Sequence, residues 1–241
     1  MKGCKNQLYL FILLLLFPFI SYASIRPIVT VMGGSDSPRF QTTQNITLMA
    51  PYQDTFTGSN TDATAIGGIF LGAESTLYRN FLWQLGLSYY QTSAFTANGT
   101  IWQFTDPNFN NIGYKESIRS KRVLIEGKIL STLKTFIHPY VTLGAGESFN
   151  TAYSYSESAL QPYAVTHPEP FENHTSFNFA YMVGIGVDLD VNEHIRVGAT
   201  YHYVSLGDAK LGLMPDEESD DRLTYSNLSA NEVLLSVSFL G

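Results

Sequence analysis

Phe177-Asn-Phe-Ala-Tyr-Met-Val-Gly-Ile-Gly-Val-Asp-Leu189, followed after the break Asp190 to His194 by Ile195-Arg-Val-Gly-Ala-Thr-Tyr-His-Tyr203, is the stretch whose reading decides the fold. In the first arm every second residue is large and apolar (Phe177, Phe179, Tyr181, Val183, Ile185, Val187, Leu189), and the residues between are Asn178, Ala180, Met182, Gly184, Gly186 and Asp188. A period of two is that of a β-strand. The second arm keeps the phase, with Ile195, Val197, Ala199, Tyr201 and Tyr203 on one face and Arg196, Gly198, Thr200 and His202 on the other. The pair predicts a hairpin. Each arm is as long as a tilted membrane-crossing strand, about 9 to 11 residues, and such strands turn apolar side chains to lipid and small or polar ones to the lumen.

The same pattern recurs along the chain. Working outward, it predicts strands at Ile25 to Gly33, Ala63 to Ser75, Phe81 to Phe95, Tyr114 to Ser131, Ile137 to Tyr153 and Ala230 to Phe239, which with the two arms makes eight. The connections run long, short, long, short, long, short, long. That order is expected of a membrane barrel with both chain ends in the periplasm, where turns are short and outside loops long. The polar stretches Gly34 to Asp62 and Gly207 to Leu228 are read as loops, and Thr96 to Gly113 as a loop or flared strand extension. Aromatics near the strand ends (Tyr78, Phe81, Trp83, Phe136 and Tyr140 at one end; Tyr89, Tyr90, Tyr153, Tyr155, Tyr201 and Tyr203 at the other) are placed in interfacial girdles.

Met1 to Ala23 has the form of an export signal: Lys2 and Lys5, the apolar run Leu8 to Ile20, then Ser21-Tyr22-Ala23 at the expected cleavage site. The run is too short for a membrane helix. Cys4, the only cysteine, precedes it, so cleavage would leave a chain without disulfide or thiol chemistry. Residues 24–241 are expected to form one domain. Of 14 basic residues two leave with the signal, and the remaining 12 face 21 acidic ones, a net charge of −9. Such a surface argues against a nucleic-acid partner.

Together with the export signal, the eight strands and the alternating connections, three segments carry a family resemblance. They are Ala65-Ile66-Gly67-Gly68-Ile69-Phe70-Leu71-Gly72-Ala73-Glu74, His138-Pro139-Tyr140-Val141-Thr142-Leu143-Gly144-Ala145-Gly146 and Tyr181-Met182-Val183-Gly184-Ile185-Gly186-Val187-Asp188. The chain resembles the outer-membrane β-barrel family, which includes opacity-like surface proteins and relatives of the outer membrane protein A transmembrane domain. The resemblance implies an all-β fold, an eight-stranded antiparallel up-and-down transmembrane β-barrel in the cell outer membrane. It implies outer-membrane lipid and lipopolysaccharide around the wall, and a host or surface ligand at the loops. It also implies the barrel-assembly machinery as a partner, although Phe239 is followed here by Leu240 and Gly241 instead of ending the chain.

An eight-stranded barrel is just wide enough for side chains to fill it. The inward faces carry Glu74, Lys128, Asp188 and Arg196 toward the periplasmic end and Arg122, Glu126, His202 and Glu232 higher up, so a paired polar plug is expected. A proton or ion path along the same residues is the functional alternative. No catalytic constellation, cofactor motif or metal-ligand spacing is identified. His174 and Ser176, two apart as in the outer-membrane lipid deacylases of this size class, lack an orienting carboxylate. The acidic run Asp216, Glu217, Glu218, Asp220 and Asp221 is expected to be a solvated loop and not a divalent-cation site. The rival architecture, a secreted soluble barrel around a small apolar ligand, needs a greasy lumen, whereas the alternate residues here include Glu126, Lys128, Asp188, Arg196 and Glu232.

Overall fold

The computed structural model describes residues 25–41, 43–49, 51–59, 62–167, 171–215 and 220–241. The export-signal reading of residues 1–23 and the acidic residues Asp216, Glu217 and Glu218 lie outside the described residues. Among the described residues eleven strands are present: β1 (Arg26–Gln41), β2 (Thr43–Met49), β3 (Tyr52–Ser59), β4 (Thr64–Tyr78), β5 (Phe81–Thr92), β6 (Phe95–Trp102), β7 (Asn110–Ser131), β8 (Ile137–Ala159), β9 (His174–Asp190), β10 (Ile195–Lys210) and β11 (Thr224–Leu240). All pairings are antiparallel. Eight strands form a ring in the order β1, β4, β5, β7, β8, β9, β10, β11, and the ring closes where β1 pairs with β11, Val31 opposite Val237.

The predicted faces hold on every ring strand. Leu71, Leu87, Ile125, Leu143, Ile185, Val197 and Leu235 look outward and are exposed, while their neighbours Phe70, Ser88, Leu124, Thr142, Arg196 and Leu234 are buried inside. This leaves a wide apolar belt around the outside of the ring, which no water-soluble sheet would tolerate. On β7 the belt has a sharp edge: its outward residues are Lys115, Ser117, Arg119 and Lys121, all at least partly exposed, and then Val123, Ile125 and Ile129. Residues Val123 to Ser131 are therefore the lipid-facing part of that strand. The three short connections of the expected alternation are the tight turns β4–β5, β7–β8 and β9–β10, all at the end where β1 begins and β11 ends.

Inward glycines make room for long side chains across the ladder. A Cβ on Gly198 would collide with the Asp188 carboxylate, and one on Gly184 with the His202 ring. The small residues between the large apolar ones in the deciding hairpin are thus the space into which the lumen's polar groups fit.

Two readings require correction. Gly34 to Asp62 is not a loop: β1 continues to Gln41, and the β2–β3 hairpin follows, its inner edge pairing with β6, Phe56 opposite Ile101. The flared extension after β5 is real, since β6 pairs with the upper half of β7, Phe95 opposite Ile118. The last loop, read as Gly207 to Leu228, also narrows, because β10 runs to Lys210 and β11 starts at Thr224. The physical reason is that these segments have left lipid. Their outward residues face water and are polar, so the alternation is hidden behind Thr, Gln, Asn and Ser, while the inner face still buries Ile46, Phe56, Ile101, Ile112, Leu206 and Tyr225 completely or nearly so.

Candidate functional site

The barrel interior is the candidate site, and it has two storeys. The lower one, inside the lipid belt, holds the charges; the upper one, inside the emergent strands, is an apolar core.

At the short-turn end Glu74 of β4 is a hub. It accepts from Arg196 Nη1 of β10 at 2.6 Å, from Arg26 Nη2 at 2.6 Å and from Gln84 Nε2 at 2.8 Å. Arg196 also donates from Nε to Asp190 at 2.7 Å, and the second oxygen of Asp190 lies 2.8 Å from His138 Nε2. In the middle layer Glu126 accepts from Tyr90 at 2.8 Å and from Thr142 at 3.1 Å. Lys128 Nζ stands 3.8 Å from Glu126 and between the rings of Phe70 and Tyr140, 5.3 and 5.1 Å from their centroids. Asp188 is buried in the same layer, near Lys128, Arg196 and His138. Tyr140 and Thr200 close this layer hydroxyl to hydroxyl.

The third layer carries the geometry of most consequence. Arg122 of β7 donates from Nη1 and Nη2 to both oxygens of Glu232 of β11, each at 2.7 Å. These strands are four places apart in a ring of eight, so the fork spans the lumen's diameter. The two side chains are 2% and 0% exposed. Tyr90 lies beneath the guanidinium, 4.1 Å from centroid to Cζ, and His202 Nδ1 is 3.5 Å from Glu232. Paired, planar, fully desolvated charge of this kind rigidifies a lumen, since each ion alone would cost several kcal/mol to bury.

All eight residues anticipated from the sequence (Glu74, Arg122, Glu126, Lys128, Asp188, Arg196, His202, Glu232) lie inward and buried. Their partners Arg26, Asp36, Gln84, Tyr90, His138 and Asp190 were missed. Asp36, 1% exposed and opposite Glu232 in the β1–β11 ladder, sat in a segment taken for a loop, although continuing the period of two from Ile28 through Met32 reaches it. Asp190 falls in the stretch read as the hairpin break, and Tyr90 and Tyr140 among the predicted girdle residues. Those two, with Tyr155, point inward and are buried, whereas Tyr78, Phe81, Phe136, Tyr89, Tyr201 and Tyr203 are exposed as expected.

Above the charges the loops interlock. His167, from the connection between β8 and β9, lies between two carboxylates: Nδ1 is 2.8 Å from Glu157 and Nε2 is 3.6 Å from Asp54 of β3. Hydrogen bonding to both carboxylates raises its pKa to about 9 against the opposing effect of burial, and in turn His167 holds the Glu157 carboxyl below the usual range. The last loop straps onto β2: Gln44 bonds to the backbone of Arg222 and Thr224, and Asp221 accepts from the Thr47 amide. Phe171, Tyr155, Tyr114 and Phe56 pack ring on ring beneath.

His174 and Ser176 do not come together as a reactive pair in this frame: Ser176 is buried and its hydroxyl accepts from the Lys210 amide. Among the described residues no group of three His, Cys, Asp or Glu side chains is placed to hold a metal ion.

A family model described as the outer membrane protein beta-barrel domain matches residues 17–239. No curated protein sequence matches the chain. Among solved structures, OprG from Pseudomonas aeruginosa is 9% identical with a TM-score of 0.50, over 89% of this chain and 95% of that one, a likeness of fold. Neisserial surface protein A (NspA) is 13% identical, with a TM-score of 0.44 over 88% and 96%. Ail of Yersinia pestis is 9% identical, with a TM-score of 0.41 over 90% and 98%. With an apolar belt outside, charges inside and a family match over almost its whole length, the chain belongs to the outer-membrane β-barrel family and resides in the outer membrane.

Proposed function

We propose that this protein is a non-enzymatic structural barrel whose lumen is closed to solutes and whose joined outer loops serve the envelope and surface contact, adhesion included. The observation that carries the reading is the Arg122–Glu232 fork across the lumen's diameter, supported by the apolar storey above it. A proton or ion path would need solvated, unpaired groups along the axis, and a lipid hydrolase would need an activated hydroxyl, whereas Ser176 is engaged by backbone. The partners this reading implies are outer-membrane lipid, the barrel-assembly machinery and a surface ligand at the cap.

Conductance across planar lipid bilayers tests the closed lumen. The purified barrel is expected to leave the membrane current flat, and the Arg122→Ala/Glu232→Ala protein to add small, flickering steps. Regular single-channel steps from the unaltered protein would overturn the reading. Cell-binding assays on a barrel whose residues 157–167 are exchanged test the contact role, which fails if binding by the unaltered protein is no greater than background. Lipid hydrolysis abolished by Ser176→Ala would instead establish an enzyme.

A further inference from the structure

We infer that the layer of the Arg122–Glu232 fork is a proton-binding site: Asp36 and His202 share one exchangeable proton through an enclosed water molecule, and that proton sets how firmly the fork holds. The inference rests on the same fork as the closed-lumen reading, but it concerns what this layer binds and not what the lumen passes.

Asp36, Glu232 and His202 stand side by side on one rung. The ladder puts Asp36 of β1 opposite Glu232 of β11, and Glu232 opposite His202 of β10. Arg122 reaches that rung from across the lumen, and all four side chains belong to residues at most 2% exposed. The fork uses both oxygens of Glu232 and both terminal nitrogens of Arg122. It leaves buried polar atoms beside it: Arg122 Nε, Asp36 Oδ1 and the two ring nitrogens of His202 have no hydrogen-bond partner among the described residues. Buried polar atoms are nearly always bonded, to protein or to ordered water. A water here accepts from the Arg122 Nε–H and donates to Asp36 and to a ring nitrogen, which gives it the usual three bonds of an enclosed water.

Charge supplies the second half of the argument. The rung carries two carboxylates and one guanidinium, so it is neutral only with one further proton, held by Asp36 as a carboxylic acid or by His202 as an imidazolium. The remaining neighbours have other engagements. Tyr90 of β5 lies beneath the guanidinium, and its hydroxyl donates to Glu126 one layer down, where Lys128 stands beside that carboxylate. From β4, β8 and β9 the cross-strand partners at this level are Gly68, Ser148 and Gly184, none of which titrates. Leu124 and Leu234 close the layer below and Val204 and Ala230 close it above, all of them buried. Between apolar floors an unbalanced charge is strongly disfavoured, so the proton is retained. The water takes one proton in and passes one on, which converts Asp36 acid and neutral His202 into Asp36 carboxylate and His202 imidazolium with nothing gained or lost. This is a site and not a path, because the leucine, valine and alanine side chains above and below offer no next acceptor.

The test uses the full barrel in lipid nanodiscs with 13C-labelled aspartate and 15N-labelled histidine, read by NMR. The two signals are identified by their loss in Asp36→Asn and in His202→Gln. At about pH 7 the protonated fractions of the Asp36 carboxyl and the His202 ring are expected to sum to one. The ring should become wholly neutral in Asp36→Asn, and the carboxyl wholly protonated in His202→Gln. Either variant alone reads the coupling, and heat-modifiable migration in gels verifies that each has folded. Exchange of the Arg122 guanidinium protons, corrected for its intrinsic rate, reports opening of the fork. In the unaltered barrel it should rise about tenfold per pH unit once the proton is released, and in Asp36→Asn it should stay flat. Three results would each overturn the inference: a summed protonation near zero or near two, an imidazolium that persists in Asp36→Asn, or the same pH slope of fork opening in both proteins. A conducting barrel whose sum is one would sink the closed lumen and leave this site standing, and a silent barrel whose sum is zero would do the reverse.

Discussion

Replacing Arg122 by Met removes the cation of the lumen-spanning fork while keeping much of its volume. Glu232, 0% exposed, is then left with His202 Nδ1 at 3.5 Å and with Asp36, itself buried, opposite it in the ladder. Removing one partner of a buried pair typically costs about 3–5 kcal/mol, because the surviving charge stays desolvated. The bidentate geometry and the second acid beside Glu232 put the expectation at the upper half of that range. Urea unfolding of the detergent-solubilised barrel, followed by the fluorescence of Trp83 and Trp102, should show the midpoint falling by about 2 M, given slopes of roughly 2 kcal/mol per molar. The Arg122→Met/Glu232→Gln protein has no carboxylate stranded at position 232 and should regain most of the loss. A single variant within about 1 kcal/mol of the parent, or a double variant no better than the single, would refute the argument that the fork is a compensated charge pair.

The outer cap should loosen with alkali. His167 has a folded pKa of about 9 against an ordinary 6.5, so its stabilisation is complete below about pH 6.5 and is lost as pH rises through 9. Amide exchange in residues 157–167 should accelerate between pH 7 and 10, after correction for intrinsic rates, and His167→Ala should be fast throughout. Glu116, buried on β7 well above the lipid-facing stretch, is pushed up to about 8 by desolvation. Its ionisation costs stability increasingly from about pH 4.5 to 8, so Glu116→Gln should stabilise the fold by on the order of 2–4 kcal/mol at pH 8 and by little at pH 5 in the same urea titration. Gly198→Ala should destabilise by about 1–3 kcal/mol, since its methyl meets the Asp188 carboxylate, and Asp188→Ala in the same chain should recover part of that loss.

Inside the belt the wall was legible residue by residue because lipid on one side and lumen on the other impose a strict period of two, and a slip of one residue would turn every side chain to the wrong solvent. The β2–β3 hairpin escaped because both its surroundings and its composition are those of a water-soluble edge, where Thr and Gln on the outer face dilute the signal from Ile46 and Phe56. The partners Tyr90, Asp36 and Asp190 escaped for another reason: strand ends and girdles are assigned by composition, and composition does not say which face a terminal residue occupies.

The sequence by itself determined the number of crossings, the face of each residue within them and the end at which the long connections gather, since all three follow from local alternation and turn spacing. Which acid meets which base was decided only in three dimensions. Arg122 and Glu232 are 110 residues apart and become opposite points of one diameter through ring closure between β1 and β11. The cap was decided there too, because His167, with Glu157 ten residues before it, finds Asp54 of β3 only after two distant segments are brought over the same rim.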